Sequence, residues 1–231
     1  MSVQWCIPKV NGEYLANLED ILKLYARPYD PEYPVICFDE RPCFLIGDLK
    51  NPIPMEVGKH KCKKIDYQYE KFGSCALLAA VEPLQGKRFT KVYDQRTAAE
   101  YTDFMEYLIE QYPKAKKIII VQDNLNTHKI GSFYQHREQE IASNMADKVE
   151  FHYTPKCSSW LNMIEIEFSA IARIALNKRI PTKEKLTQQI DAIVKIRNEN
   201  QVKIKWQFSL QQARITLNSK YNLVNKNNKI I

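Results

Sequence analysis

Several architectures are excluded by what these 231 residues lack. Six cysteines stand at 6, 37, 43, 62, 75 and 157, and no two of them form a C-x-x-C pair, which speaks against a zinc ribbon. The N-terminus shows no basic stretch leading into an apolar one, so no secretory leader is expected. No uninterrupted apolar run approaches the roughly 20 residues of a membrane span. No internal repeat and no low-complexity segment is present, which removes solenoids and arrays. Together these absences point to a reducing cytosol and away from a membrane. Cys37 and Cys75 sit in apolar, strand-like runs and read as buried thiols.

What is present is an ordinary globular composition with a basic balance. The hydrophobic fraction is 45%, and 34 Lys plus Arg against 27 Asp plus Glu give a net charge of +7. A chain of this length can bury a substantial core in one or two domains. The basic balance favours polyanions, nucleic acid first among them, although many mildly basic proteins bind nothing anionic.

Periodicity orders the elements. NLEDILKLY at 17–25 has helical spacing, and the prolines of ARPYDPEYP force extended or turning chain after it. Residues 35–38 read as a short buried strand and 41–67 as an exposed loop with a basic cluster at 59–64. Residues 70–83 and 88–95 form a hairpin through PLQG. Thr97 can cap a helix whose inward face is Tyr101, Phe104, Met105 and Leu108. A β-branched strand follows at 118–121, then a helix over 132–146, a strand at 149–153 and an amphipathic helix over 160–176. A helix opened by Pro181-Thr182, a last one capped by Ser209 over 210–220, and a frayed tail complete the chain. The order predicts an α/β fold: one mixed five-stranded sheet flanked by helices, with extra C-terminal helices. It divides into an N-terminal linker and helix (1–34), a core (35–180) and a helical extension (181–231).

Against that frame three acidic positions stand out. VICFDE at 35–40 and IIIVQDN at 118–124 each deliver an Asp after an apolar run, and WLNMIEIEFSAI at 160–171 presents Glu on a helix. Carboxylates on separate elements suit divalent metal ions held over a phosphodiester. Asp39 and Glu40 are neighbours on a strand and point to opposite faces, so one of them at most enters a site. Asp123 opens a polar loop in which Asn124 and His128 are placed to orient it or to touch a phosphate. Glu165 and Glu167 fall on opposite margins of the apolar stripe, and the helix alone does not choose between them. The plainer readings are an Asp that caps a turn, a Glu that is merely solvated, and a Lys59–Lys64 cluster that is a solvated loop rather than a phosphate contact. His60 and Cys62 read as surface residues, not zinc ligands.

CFDE (37–40), QDNLNTH (122–128) and YTPKCSSWLNMIEIEFS (153–169) resemble the three catalytic blocks of bacterial insertion-sequence transposases of the mariner superfamily. RPYDPEYPVICFDE, RTAAEYTDFM and the Arg-Asn pair at 197–198 share the resemblance, which runs from Trp5 to Tyr221. It implies an RNase H-like fold and two Mg²⁺ (or Mn²⁺) ions held by Asp39, Asp123 and Glu165, the last because WLNMIE matches the family's third block. Asp123 and Glu165 stand 42 positions apart, longer than in mariner relatives. The implied activity is DNA cleavage at transposon ends and strand transfer into target DNA at TA sites, on double-stranded DNA and as a homodimer. Lys59, Lys61, Lys63, Lys64, Asn124, His128 and Lys156 are then candidate DNA contacts. Relatives carry helix-turn-helix modules before the catalytic part, whereas only about 34 residues precede the first strand here; a separately encoded helix-turn-helix half is the corresponding expectation. The implied location is the prokaryotic cytoplasm, on the nucleoid. A plain RNase H-like nuclease and an inactive or co-opted DNA-binding remnant are the competing readings.

Overall fold

The computed structural model describes residues 10–59 and 61–227. Trp5, Cys6, His60 and the last four residues of the tail lie outside them.

Five strands form one mixed sheet: β1 (Val35–Asp48), β2 (Tyr69–Glu82), β3 (Lys87–Tyr93), β4 (Ile118–Gln122) and β5 (Val149–Tyr153), in the order β3-β2-β1-β4-β5. β1, β2 and β3 are antiparallel, whereas β4 pairs parallel to β1 and β5 parallel to β4. The sheet therefore changes sense at β1. The helices are α1 (Gly12–Tyr25), α2 (Ala98–Glu110), α3 (Ile130–His136), α4 (Gln139–Lys148), α5 (Ile164–Ile174), α6 (Lys183–Glu199), α7 (Leu210–Thr216) and α8 (Asn218–Val224). Thr97, Thr182 and Ser209 cap α2, α6 and α7 through their side chains.

Strand alternation sorts the core into two layers. Cys37, Leu77, Ala79, Ile119 and Val121 face α5 and α6, where Ile164, Phe168, Ile171, Leu186 and Ile190 are buried. Ile36, Phe38, Leu78, Ala80 and Ile120 face α2, α3 and α4, packing on Tyr101, Phe104, Leu108, Phe133 and Met145. A third cluster joins α1 to α7 through Leu15, Leu18, Leu22, Ala213 and Leu217. Among the described residues no helix is long and apolar enough to cross a membrane.

Several element boundaries differ from the sequence reading. β1 does not stop at Phe38 but runs to Asp48, through Pro42. Proline is tolerated there because β4 pairs with β1 only at residues 35–37, so Pro42 has no partner on that side to need its missing N–H. The exposed loop shrinks accordingly to 49–68, and a bridge joins Ile53 to Lys64 within it. The helix expected over 132–146 is two helices, broken where Arg137 adopts an extended backbone and its guanidinium reaches Glu106. The helix expected from 160 starts at Ile164, after a 3₁₀ turn (Ser159–Leu161) and an extended Asn162. The last helix is likewise two, hinged at Leu217.

Candidate active site

The parallel pairing of β1 with β4 ends at Cys37↔Val121. Asp39 and Asp123 each stand two residues beyond that pair; Asp39, still on β1, falls on the face that carries Cys37, and Asp123, just past the end of β4, opens the loop that follows. Glu40 falls on the other face. The crevice lies where the parallel pairing of β1 and β4 stops and the sheet changes sense, the kind of place where open α/β sheets put their sites. Asp39 and Asp123 line one cleft of about 720 Å³ with Asn124, Lys156 and, from α1, Tyr14 and Asn17.

Glu165 lies in the first turn of α5, half-buried, where the helix N-terminus favours a carboxylate. The lead-in to this helix is tied to β1: the Asn162 side-chain amide donates to the Phe38 carbonyl at 2.8 Å, one residue before Asp39. Burial pushes the Asp39 carboxyl up to about 7, with the negative charges of Glu40, Asp123 and Glu165 adding to the rise and a hydrogen bond from the Glu40 N–H (2.8 Å) opposing it. Asp123 and Glu165 are thus each within electrostatic reach of Asp39. Among the described residues no three His, Cys, Asp or Glu side chains are gathered closely enough to cage an ion, so the cluster is open, not closed. Its chemistry fits Mg²⁺ or Mn²⁺ all the same. The donors are hard oxygens, and a half-buried carboxyl crowded by like charge is relieved by a cation.

Below the carboxylates, on the other face of the sheet, sits His128. It is buried, stacked on Tyr101 at 4.8 Å and edge-on to Phe38. Its Nδ1 meets Asp123 Oδ1 at 2.5 Å and its Nε2 meets Glu40 Oε2 at 3.0 Å. Burial pulls the imidazole down, but the hydrogen bonds and charges of Asp123 and Glu40 outweigh it and raise His128 to about 9. At neutral pH the ring is an imidazolium that holds one oxygen of Asp123 and leaves the other for a ligand. Of the two roles open to His128 in the sequence, burial favours orienting Asp123: both ring nitrogens face carboxylates, and the side chain is 4% exposed. Gln122 supports the arrangement, accepting from the Tyr101 hydroxyl and donating to the His128 carbonyl.

The two helix glutamates separate clearly. Glu167 is not solvated, as a residue on the margin of an amphipathic helix would be; it is 1% exposed and ion-paired to Arg88 of β3 and Arg197 of α6. Glu165 is the one left beside Asp39. Lys156 and Asn124 line the cleft, whereas Lys59, Lys61, Lys63 and Lys64 are exposed on the 49–68 loop and none of them lines it. Sequence reasoning offered His128 as a partner of Asp123 but did not find Glu40 beyond it, nor the Arg88–Glu167–Arg197 triad. Parity along β1 placed Glu40 opposite Asp39, but nothing local marks which residue it meets.

A mixed five-stranded sheet with helices on both faces and carboxylates just past the end of the β1–β4 pairing is the RNase H-like arrangement. The family model for DDE superfamily endonucleases matches residues 34–187, and the chain belongs to that family. Among solved structures the fold is similar to that of the Mos1 transposase. Its paired-end complex with the left transposon end matches at 15% identity and TM-score 0.55, covering 84% of this chain and 58% of that one. The Mos1 mariner paired-end complex with Mn matches at 15% and 0.57, covering 87% and 61%. The Mos1 strand transfer complex matches at 13% and 0.56, with the same coverage of 87% and 61%. The chain thus spans about three fifths of the length of these transposases. No curated protein is detectably similar in sequence.

Proposed function

We propose that this chain is the catalytic part of a mariner-superfamily transposase from a prokaryotic insertion sequence, cutting DNA at the element's ends and joining the freed 3′-OH to target DNA. The observation that carries the reading is the placement of Asp39 and Asp123 in one cleft, with Glu165 in the first turn of α5 near enough for its charge to act on Asp39. In this reading residues 35–180 are the catalytic core, with 1–34 and 181–231 as its flanks.

Asp39, Asp123 and Glu165 would hold two Mg²⁺ or Mn²⁺ ions, which when bound supply a lowered pKa to the attacking oxygen and positive charge to the leaving one. The rest falls to the chain's own groups. The His128 imidazolium fixes the rotamer of Asp123. Lys156 and Asn124, in the wall of the cleft, can meet phosphate oxygens. Lys59, Lys61, Lys63 and Lys64 add a screened attraction for the DNA backbone farther out. Insertion at TA, which the family resemblance implies, suits the ease with which pyrimidine–purine steps kink. In this reading the partner is double-stranded DNA, bound by a homodimer acting with a helix-turn-helix half in the prokaryotic cytoplasm, as the family resemblance implies. Structures of the Mos1 paired-end complex with Mg and with Mn support both the metal and the DNA.

A joining assay tests this reading. A labelled duplex with the element's pre-cut end is incubated with a supercoiled target and Mn²⁺. Joined product flanked by duplicated TA, absent with Asp39→Asn, is expected. Cutting without joining would reduce the chain to a plain nuclease. Neither activity from a folded protein, with DNA binding indifferent to Asp39→Asn, would make it an inactive remnant.

A further inference from the structure

The Arg88–Glu167–Arg197 triad has no part in the chemistry above, yet it grips the helix that carries Glu165. Arg197 reaches Glu167 with two nitrogens, Nε to Oε1 at 2.5 Å and Nη2 to Oε2 at 3.0 Å. Arg88 Nε approaches Oε2 at 3.0 Å from the other side. Both arginines are themselves anchored. Arg88 donates to the carbonyls of Gly86 and Val202. Asn198, next to Arg197, takes the Arg88 N–H at 2.8 Å and donates to its carbonyl at 3.0 Å, closing the free edge of β3 with helix α6. The Arg197-Asn198 pair therefore binds one strand and one helix at the same point.

A buried ion triad adds little net stability, because desolvation consumes most of its Coulomb energy. What it supplies is direction. The apolar face of α5 (Ile164, Phe168, Ile171) packs on the sheet through groups that tolerate a small roll. A bidentate guanidinium–carboxylate fork does not. Glu165 and Glu167 are about 200° apart around the helix, so a roll that moves one moves the other. At a side-chain radius of about 5–6 Å a roll of about 10° displaces a carboxylate by about 1 Å, and an error of that size at a reacting centre can cost about 10²-fold.

We propose that Glu167 is a positioning residue: held between Arg88 and Arg197, it sets the rotation of α5 and so aims Glu165 at Asp39 and Asp123. The proposal rests on Glu165 being a metal ligand, and the test separates the two claims. Mn²⁺ binding to the full chain is measured by calorimetry for wild type, Glu165→Gln, Glu167→Gln and Arg197→Lys, with thermal unfolding in EDTA and single-turnover cleavage alongside. Glu165→Gln should weaken Mn²⁺ binding. Glu167→Gln, which keeps the shape and loses the charge, should weaken it about 10–100-fold and lower the cleavage rate constant at saturating DNA without changing DNA affinity. Arg197→Lys keeps the charge and loses the fork; it should fall between wild type and Glu167→Gln, and it decides the matter if Glu167→Gln fails to fold. Wild-type Mn²⁺ affinity in folded Glu167→Gln, or in Arg197→Lys where the former is unfolded, overturns the positioning role while Glu165 stands as a ligand. Wild-type affinity in Glu165→Gln overturns both.

Discussion

Replacing Asp39 with asparagine should make the metal-free protein more stable while abolishing its chemistry. Asp39 is half-buried beside Glu40, Asp123 and Glu165, and its carboxyl is raised from 3.8 to about 7. The sign follows from proton counting. Below pH about 4 the group is neutral in both folded and unfolded chains and contributes nothing. Between about 4 and about 7 the folded chain keeps a proton that the unfolded chain has lost, so stability falls as pH rises; above about 7 the penalty is constant. The full rise corresponds to about 4 kcal/mol. Residual solvent around the cluster trims the expected gain in Asp39→Asn to about 1–3 kcal/mol, or about 3–10 °C in Tm for a chain of this size. Melting both proteins in EDTA at pH 5 and pH 8 measures it, with the larger gain expected at pH 8. Adding Mn²⁺ should then raise the Tm of wild type and leave the variant nearly unmoved. If Asp39→Asn were no more stable than wild type at pH 8 without metal, the crowded-carboxylate account would be wrong.

Other consequences can be checked in the same way. His128 is raised from 6.5 to about 9, so its contribution is complete below about 6.5 and lost as pH climbs through about 9; urea melts of His128→Gln should lie up to about 3 kcal/mol below wild type at pH 6 and approach it by pH 10. Gly86 has φ +69°, and an added Cβ would stand 2.7 Å from the Gln201 backbone; Gly86→Ala should lower the Tm by several degrees, about 1–3 kcal/mol, by loosening the 201–202 segment from the β2–β3 turn. Replacing Lys61, Lys63 and Lys64 by Ser should reduce the salt slope of DNA binding by about 3 if all three meet phosphates; an unchanged slope in filter-binding titrations would place the 49–68 loop away from DNA.

The sheet was legible because each strand declares itself by short-range pattern: β-branched runs at 118–121, alternation at 149–153, and the PLQG turn between β2 and β3. The α2 helix was legible from its cap and its inward stripe. β1 was cut short in the sequence reading because Pro42 reads as a breaker, and only the absence of a neighbour beyond residue 37 on the β4 side makes it acceptable. The break between α3 and α4 contains neither Gly nor Pro and is fixed by Arg137 reaching Glu106, a partner 31 positions away. The same limit applies at the site. Two aspartates after apolar runs can be found by eye, and parity along β1 correctly put Glu40 on the other face. The choice between Glu165 and Glu167 is different. A helical wheel places both on margins, and what removes Glu167 from solvent is Arg88, on a strand about 80 residues earlier, together with Arg197, a helix later. Ion pairs of that span leave no periodic trace.

The central claim is that Asp39, Asp123 and Glu165 form one metal-dependent centre for phosphodiester chemistry. The most direct measurement is nicking of an end-labelled duplex bearing the element's own termini, with Mn²⁺ or Mg²⁺. Wild type would be compared with Asp39→Asn, Asp123→Asn and Glu165→Gln, each shown to be folded. The account predicts metal-dependent nicks leaving 3′-OH ends in wild type and a loss of at least about 10³-fold in each variant. Nicking that survives any of the three substitutions, or that proceeds equally in EDTA, would contradict it.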